Sequence, residues 1–306
     1  MIAVLRHCTG WSIASMAELE RIGIIGLGLI GGSIAAGLKR VGGYEIHAFD
    51  ADPDATKAGL SMGIVDGAHL TVADLANGVD VVCLCTPVRS MTALLHELGG
   101  FEGVLTDVGS VKRPLIDAVS EQCPYMMPQL VPGHPIAGSE RHGVTAASPE
   151  LFRSHKVILT PSELSNPEAV QQIQTMWAVM GAEVIEMTAD HHDAVLAQTS
   201  HLPHLLAYTL VDVLAGFGDG REVFDYAAGG FRDFSRIAAS DPEMWRDIFL
   251  SNKTALLRLI DTFQKALAET AALIDNDQAE QLMDQLARAK SARDYFASIQ
   301  PDSKHQ

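Results

Sequence analysis

A glycine-rich turn near the start of the chain has the residue types needed to hold phosphate groups. Gly26, Gly28 and Gly31 follow a short apolar segment in the spacing GxGxxG and precede a predicted helix. The first glycine permits a tight turn, the second lets the backbone approach a pyrophosphate, and the third lets the helix pack on the strand. The N-terminus of that helix offers free N–H groups to the phosphates. The turn therefore predicts a dinucleotide site.

Asp50 indicates which dinucleotide the site would take. It lies 19 residues after Gly31, at the end of the next predicted strand, where its carboxylate can accept hydrogen bonds from an adenosine ribose. Neither Arg nor Ser follows it to hold a 2′-phosphate, so NAD is favoured over NADP. Thr86, which closes a later strand, is a further candidate for cofactor binding. A structural glycine turn with a surface aspartate is the alternative explanation.

Two polar residues at later strand-to-loop junctions have the chemistry to move a proton. His134 lies between Gly133 and Pro135, after a predicted strand, and the near-neutral pKa of histidine suits a general base. Ser110 follows Gly109 at another such junction, and its hydroxyl could orient the imidazole. Doubly wound folds bind ligands at this edge of the sheet. The alternatives are a histidine that only holds its turn and an ordinary Gly-Ser turn.

Arg236 is the candidate for binding an anion. A guanidinium group can grip a carboxylate with two parallel hydrogen bonds. The apolar residues between positions 231 and 237 are expected to pack against the core, so an arginine among them needs an anionic partner. That partner is a substrate, Asp233 or Glu140, and a purely structural salt bridge is the alternative.

Several histidines lie close together in the second half of the chain. His201 and His204 stand three residues apart on one face of a predicted helix, and Pro203 is expected to kink that helix. A metal site would need a third ligand that the sequence does not offer nearby, so we predict no metal. The residues 191–193, His-His-Asp, are interpreted as the polar first turn of the same helix.

Composition excludes several classes of partner. The chain has 306 residues, with 22 Lys+Arg against 38 Asp+Glu, which gives a formal net charge of −16. Such a charge repels nucleic acid and anionic membrane surfaces, so we expect a small-molecule partner. No apolar run reaches the about 20 residues of a membrane-spanning helix. The four cysteines lack zinc spacing and a disulfide framework, which is typical of a cytoplasmic protein.

Short apolar runs alternate with helical patterns up to about residue 187, and this predicts a Rossmann-type, doubly wound, mostly parallel sheet. Strands are predicted at 21–25, 44–49, 79–85, 105–108, 130–133, 156–159 and 183–187. Only helical patterns follow, at 194–215, 244–273 and 277–296. We therefore expect a disordered extension over residues 1–20, a dinucleotide-binding domain over 21–188, and an all-α domain over 189–306.

The sequence resembles the prephenate/arogenate dehydrogenase family. The motifs that carry the resemblance occur in the family's order and span roughly residues 21 to 298; they are IGLGLIGGS (25–33), LTDVGSVK (105–112), GHPIAGSE (133–140), SHLPH (200–204) and GGFRDFSRIAASDPEMWRDI (229–248). The resemblance implies NAD-dependent oxidative decarboxylation of prephenate to 4-hydroxyphenylpyruvate, or of arogenate to tyrosine, in tyrosine biosynthesis. It also implies that the helical domain forms a homodimer interface, with tyrosine as a feedback inhibitor.

The resemblance assigns roles to the candidate residues. His134 would be the catalytic base at the ring hydroxyl and Ser110 would orient it, whereas Arg236, His204 and Glu140 would bind the substrate. One departure follows the pair Glu140-Arg141, where many relatives carry a small serine and this chain has His142-Gly143. It leaves the choice between prephenate and arogenate open.

Two other functions fit part of the pattern. A hydroxyacid dehydrogenase with a Rossmann domain and a helical domain would need a catalytic lysine, for which Lys253 is the nearest candidate. A non-catalytic NAD-sensing module would need Gly28 and Asp50 but not His134. Replacement of His134 therefore separates an enzyme from a sensor.

Overall fold

The computed structural model describes residues 21–138, 141–217 and 222–299. The predicted extension over 1–20 and the candidate Glu140 lie outside these ranges. The chain forms two compact units, of which the first ends at Lys253 and the second begins at Thr254. Among the described helices, none is both long enough and apolar enough to cross a membrane.

A six-stranded parallel sheet forms the centre of the first unit. Its strands are β1 (Arg21–Ile25), β2 (Glu45–Phe49), β3 (Gly67–Ala68), β4 (Val81–Leu84), β5 (Val104–Asp107) and β6 (Leu130–Val131), and they lie in the order β3-β2-β1-β4-β5-β6. The intervening helices are α1 (Leu29–Val41), α2 (Pro53–Ser61), α3 (Val72–Ala76), α4 (Val88–Leu94) and α5 (Arg113–Gln122). This order, with helices between parallel strands, confirms the predicted doubly wound fold.

Both faces of this sheet are buried, as is usual where helices cover a parallel sheet on two sides. Along β4, Val81 and Cys83 belong to one apolar cluster, whereas Val82 and Leu84 belong to the other. Cys83 is thus an apolar core residue, as the strand pattern predicts, and its thiol is free.

A second, three-stranded sheet follows, and the sequence did not predict it as separate. Its strands are β7 (Gly133–Pro135), β8 (Lys156–Leu159) and β9 (Glu183–Glu186), with α6 (Pro167–Val179) between the last two. Pro132 cannot donate a ladder hydrogen bond, and after it β7 pairs antiparallel with β8 rather than continuing β6. The single strand predicted at 130–133 is therefore wrong. His134 lies within a strand, opposite Ile158, and not in a loop.

The carboxyl ends of the central strands lie side by side. Ile25 of β1 pairs with Leu84 of β4, and Leu84 pairs in turn with Asp107 of β5. The glycine turn, Thr86 and Ser110 follow these three strand ends directly. The fold therefore brings the predicted cofactor and catalytic positions to one edge of the sheet.

One long helical run follows the second sheet and is interrupted once. It consists of α7 (Ala189–Leu196), a π-helical turn (Ala197–His201) and α8 (Leu202–Ala215). The Thr188 side chain caps its start by accepting a hydrogen bond from the N–H of His191. Pro203 has no N–H to donate one turn back, and the wider π turn stands just before it. The predicted kink thus takes the form of a π turn.

The segment that carries Arg236 packs differently from the prediction. It consists of α9 (Glu222–Asp225), α10 (Gly229–Ser235) and a 3-10 turn (Arg236–Ala239), and the last two contain no buried residue. The expectation that residues 231–237 pack against the core is wrong, because α10 lies on α8 at the surface and Phe234 stays 45% exposed.

The remaining helices are α11 (Pro242–Ser251), α12 (Lys253–Asp275) and α13 (Ala279–Ile299). Asp241 caps α11 by accepting hydrogen bonds from the N–H groups of Glu243 and Met244. The helix predicted over 244–273 is divided at Asn252, where α11 ends. The second unit consists of α12 from Thr254 onward and α13, joined by a tight turn.

Candidate active site

The glycine turn has the shape of a phosphate cradle. Gly26 has φ +98°, and a Cβ there would lie 2.8 Å from the backbone carbonyl of Cys85, so only glycine fits. A Cβ on Gly31 would collide with the carbonyl oxygen of Gly26. Gly28, the N-cap of α1, has no atom within 4 Å of its would-be Cβ. Open space therefore lies in front of the N-terminus of α1, where N–H groups attract anions.

Asp50 is held against this turn by backbone hydrogen bonds. Its Oδ2 accepts from the N–H of Leu27 at 2.6 Å, and its Oδ1 accepts from the N–H of Asp52 at 2.8 Å. Each carboxylate oxygen can accept a second bond. Asp50 can thus fix the turn and still receive a ribose hydroxyl.

Thr86 presents a polar atom that lacks a partner among the described residues. Its Oγ1 is buried without a hydrogen bond, although buried hydroxyls normally have one. Its Cγ2 lies 3.0 Å from the position that a Cβ on Gly26 would take, so Thr86 stands against the glycine turn. The open cradle and this hydroxyl both fit a bound dinucleotide.

His134 is the start of a chain of buried hydrogen-bonding groups. Its Nδ1 lies 2.9 Å from Nε2 of His192, and Nδ1 of His192 lies 2.8 Å from Oδ1 of Asp193. All three side chains are buried. The residues 191–193 do form the polar first turn of α7, but the sequence interpretation missed that His192 and Asp193 reach the candidate base.

Asp193 also holds the start of α5 in place. Its Oδ1 accepts from the N–H of Lys112 at 2.9 Å, and its Oδ2 accepts from the N–H of Arg113 at 3.0 Å. The Lys112 side chain is fully buried, with Nζ 2.5 Å from Asp107 Oδ2 and donating to the carbonyl of Gly133. These bonds tie the ends of β5 and β7 to α7, so the backbone around His134 is fixed from three elements.

The surroundings of His134 disfavour its charged form. Burial lowers the pKa of His134 well below the usual value of 6.5, and positive charge on His192, Lys112 or His201 lowers it further. His134 is therefore a neutral imidazole at neutral pH. A neutral imidazole is the form that can accept a proton.

Ser110 lies in the same loop as Lys112, between β5 and α5, and is half-buried. The loop is turned by the N–H of Gly109, which donates to Asp107 Oδ2 at 2.8 Å. Within the described ranges the Ser110 hydroxyl makes no hydrogen bond to His134. The structure thus brings Ser110 to the site edge without joining it to the imidazole.

His204 forms the aromatic wall of the neighbouring helical segment. Its ring stacks on Trp245 with centroids 3.7 Å apart, and its Nδ1 lies 2.9 Å from the carbonyl oxygen of Ser200. Burial lowers the pKa of His204, the bond to Ser200 opposes this, and the positive charge of Arg236 lowers the pKa further. Arg236 is exposed at the start of its 3-10 turn, near enough to His204 for its charge to act.

His201 lies in the π turn between these two groups. The Asn252 amide nitrogen lies 3.2 Å from its Nδ1, and its buried Nε2 has no partner within the described ranges. Burial is the main cause that lowers the pKa of His201 to about 4. No three metal-ligating side chains among the described residues are placed to hold a metal ion.

Comparison with known proteins gives matches along nearly the whole chain. The family profile described as prephenate dehydrogenase, nucleotide-binding domain, matches residues 34–186. The profile described as prephenate dehydrogenase, dimerization domain, matches residues 188–288.

Individual relatives agree with these profiles. The cyclohexadienyl dehydrogenase of Zymomonas mobilis is 34% identical over 284 residues, which is 91% of this chain and 96% of that protein. The prephenate dehydrogenase of Bacillus subtilis is 35% identical over 281 residues, 90% of this chain and 76% of that protein.

A solved structure gives the same result in three dimensions. The prephenate dehydrogenase from A. aeolicus, in complex with hydroxyphenyl propionate and NAD+, superposes with a TM-score of 0.86 at 34% identity and covers 92% of this chain and 100% of that one. With a doubly wound sheet, a glycine cradle and a helical part in the matching order, this chain belongs to the prephenate dehydrogenase family.

Proposed function

We propose that this protein catalyses the NAD-dependent oxidative decarboxylation of prephenate, of arogenate, or of both. The observation that carries the proposal is His134: an imidazole kept neutral by its burial and hydrogen-bonded to His192, at the sheet edge where the glycine turn lies. A dehydrogenase that must remove a hydroxyl proton needs such a base. An NAD sensor does not.

The cofactor would be held by the residues of the glycine cradle. Gly28 leaves room at the N-terminus of α1 for the pyrophosphate, Asp50 would receive the ribose hydroxyls, and Thr86 would contact the cofactor beside the turn. When bound, NAD+ supplies the acceptor for the hydride that leaves C4 of the ring.

His134 removes the proton of the C4 hydroxyl as the C4–H bond breaks, so the C4–O bond becomes a carbonyl. Loss of the ring carboxylate as CO2 then sends its electron pair into the ring, which becomes aromatic. The phenolate oxygen that results takes the proton back from His134. Ser110, at the same edge, would orient the hydroxyl toward the imidazole.

The substrate's carboxylates require cationic or donor groups on the helical side of the site. Arg236 and His204 would supply these, with Trp245 holding the His204 ring by stacking. Glu140, outside the described residues, would pair with the Arg236 guanidinium in an ion network beside the substrate. His142 stands where many relatives carry a small serine, and it or Arg141 would bear on the choice between the keto group of prephenate and the ammonium of arogenate.

The direct test offers prephenate and arogenate separately, each with NAD and with NADP. We expect NADH together with CO2, and 4-hydroxyphenylpyruvate from prephenate or tyrosine from arogenate. Absence of turnover with both substrates would exclude the proposed function. Added tyrosine is expected to inhibit, because it is the product formed from arogenate and carries the same 4-hydroxyphenyl group as 4-hydroxyphenylpyruvate.

The assembly and boundaries are part of the same proposal. We place the end of the dinucleotide-binding part near residue 188, since the last described strand ends at Glu186.

The family's dimerization profile over 188–288 supports a homodimer. Sedimentation of the 32.8 kDa chain should therefore give twice that mass, and a monomer would contradict the proposal. The free thiols of Cys83, Cys85 and Cys123 support a cytoplasmic location.

A further inference from the structure

We propose that Asp193 and His192 are positioning residues that fix the tautomer of His134 and take up the proton displaced from it during turnover. The inference rests on the proposed function, in which His134 is the base, and it assigns this pair a role in that step. It follows from the direction in which each hydrogen bond of the buried chain must run.

The direction of the hydrogen bonds in this chain is set by Asp193. A carboxylate only accepts hydrogen bonds, and Asp193 accepts from the backbone N–H groups of Lys112 and Arg113 as well as from His192. Burial raises the pKa of Asp193, but the hydrogen bonds from His192, Lys112 and Arg113 outweigh it and the pKa is lowered. Asp193 is thus ionised at neutral pH, and Nδ1 of His192 must carry a hydrogen.

The tautomers of His192 and His134 follow from the hydrogen on Nδ1 of His192. A neutral His192 with its hydrogen on Nδ1 has a lone pair on Nε2. Nε2 lies 2.9 Å from Nδ1 of His134, so His134 must donate from Nδ1. The lone pair of His134 is then on Nε2, the nitrogen not used in the chain. The base is therefore already in the tautomer that can take the substrate's proton.

The same chain gives the proton on Nδ1 a destination. When Nε2 of His134 accepts the hydroxyl proton, the Nδ1 hydrogen can pass to Nε2 of His192. His192 becomes an imidazolium with Nδ1 bonded to the Asp193 carboxylate, and His134 stays neutral. When the phenolate takes its proton from Nε2 of His134, His192 returns a proton to Nδ1, so no proton is gained or lost.

The charges around the pair favour His192 over His134 as the place for the positive charge. Among the described residues, the charges that act on His134 are those of His192, Lys112 and His201, and all of them disfavour a positive charge on it. His192 faces Lys112 too, but it also faces Asp193 at 2.8 Å and Asp107. An imidazolium next to a carboxylate is stabilised, whereas one beside a buried ammonium is not.

The other site histidines have different partners. Nδ1 of His201 faces the amide nitrogen of Asn252, and Nδ1 of His204 faces the carbonyl of Ser200. Within the described part of the chain, neither ring is hydrogen-bonded to a carboxylate. Among the described site histidines, His134 is thus the one that a second histidine joins to a carboxylate.

The first measurement is the tautomer itself, by 15N NMR of histidine-labelled full-length protein, with His134 assigned from a His134→Gln variant. We expect a protonated Nδ1 and an unprotonated Nε2 on His134 at neutral pH. The reverse tautomer would overturn the proposal. This readout needs no substrate, so it stands apart from the test of the proposed function.

Two variants at one position separate tautomer from proton uptake. His192→Gln can still accept from His134 and donate to Asp193 but cannot take a proton, and we expect kcat to fall about tenfold with the tautomer kept. His192→Leu removes the acceptor, and we expect kcat to fall about 10²–10⁴-fold, since a histidine base in the wrong tautomer costs about 10⁴-fold in a serine protease. His191→Leu, an exposed neighbour, is the matched control and should keep its rate.

NAD affinity and thermal melting are measured on each variant, so that a loss of fold is recognised. Folded variants with a normal Kd for NAD, unchanged kcat and an unchanged His134 tautomer would refute the relay. Should His192→Leu fail to fold, the wild-type tautomer and the His192→Gln rate still decide. A His192→Gln rate equal to that of the wild type would remove proton uptake by His192 from the proposal.

Discussion

At the scale of single residues, the site depends on side chains whose charge the protein interior suppresses. His134 and His192 both have lowered pKa values because they are buried, whereas the pKa of Asp193 is lowered despite burial by the hydrogen-bond donors around it. A base in such a setting needs no prior loss of a proton at neutral pH. The chemistry of the site therefore follows from burial as much as from residue type.

Replacement of the base gives the first prediction. His134→Asn places an amide where it can still donate to His192 but offers no basic nitrogen, so we expect kcat to fall about 10²–10⁴-fold. NAD binding should be unchanged, because the glycine turn is untouched. Steady-state kinetics and fluorescence titration with NAD measure the two effects. Exposed His155→Asn serves as the control, and a full rate in His134→Asn would exclude His134 as the base.

The anion site gives a second prediction. Arg236→Gln should raise KM for the substrate about 10–100-fold, because a charge-assisted hydrogen bond to a carboxylate contributes about 1.5–3 kcal/mol. The Kd for NAD should not change. Arg153→Gln, which removes an exposed arginine paired with Glu150, controls for the loss of one positive charge. An unchanged KM in Arg236→Gln would show that the substrate's carboxylates bind elsewhere.

At the scale of elements, two glycines of the turn between β1 and α1 allow effects on stability and effects on NAD binding to be measured separately. Gly31→Ala would drive a Cβ into the carbonyl of Gly26, so we expect a clear loss of thermal stability. Gly28→Ala meets no atom within 4 Å and should melt near the wild-type Tm. Its methyl group would occupy the space proposed for the pyrophosphate, so its Kd for NAD should rise at least about tenfold. Calorimetry and NAD titration of both variants test this, and tight NAD binding by Gly28→Ala would contradict the cradle.

The elements also show where prediction from sequence succeeds and where it stops. Apolar periodicity located β1, β2 and β8 almost to the residue, and the glycine spacing predicted that a helix follows β1, because these signals are local. The split between β6 and β7 was missed, since it depends on pairing of His134 with Ile158, 24 residues away. The contact between His134 and His192 was missed for the same reason: the two residues are 58 positions apart, and nothing in either neighbourhood specifies that they meet.

The prediction that the segment around Arg236 is buried was wrong for another reason. Its aromatic residues have the periodicity of a buried helix, yet α10 has no buried residue. Apolar content predicts burial only when a covering element exists, and the sequence does not say which element covers a short helix. Glu140, a candidate partner of Arg236, lies outside the described residues and stays a prediction.

At the scale of the whole molecule, the buried histidines link stability to pH. The pKa values of His134, His192, His201 and His204 are all lowered in the folded protein, whereas an unfolded chain binds these protons near pH 6.5. The unfolded state thus gains protons first as pH falls. Their contribution to stability is complete above about pH 6.5 and is lost below it, toward the pKa of about 4 for His201.

We therefore expect the Tm to fall by several degrees between about pH 7 and about pH 5, before most carboxylates titrate. Differential scanning calorimetry across this range measures it. His201→Gln should flatten the decline, because one titrating group is gone, whereas exposed His155→Gln should not. A Tm that is constant over this range would mean that the folded and unfolded states take up equal numbers of protons, so that folding does not lower the imidazole pKa values.

Lys112 joins strands β5 and β7 from inside the protein, with Asp107 and the carbonyl of Gly133 as its partners. An amine enclosed in this way is hidden from acylating reagents for as long as the strand ends stay together. Acylation of the Lys112 amine would therefore show that these strand ends had separated. The rate at which Lys112 is acylated would thus measure how often the ends of β5 and β7 separate.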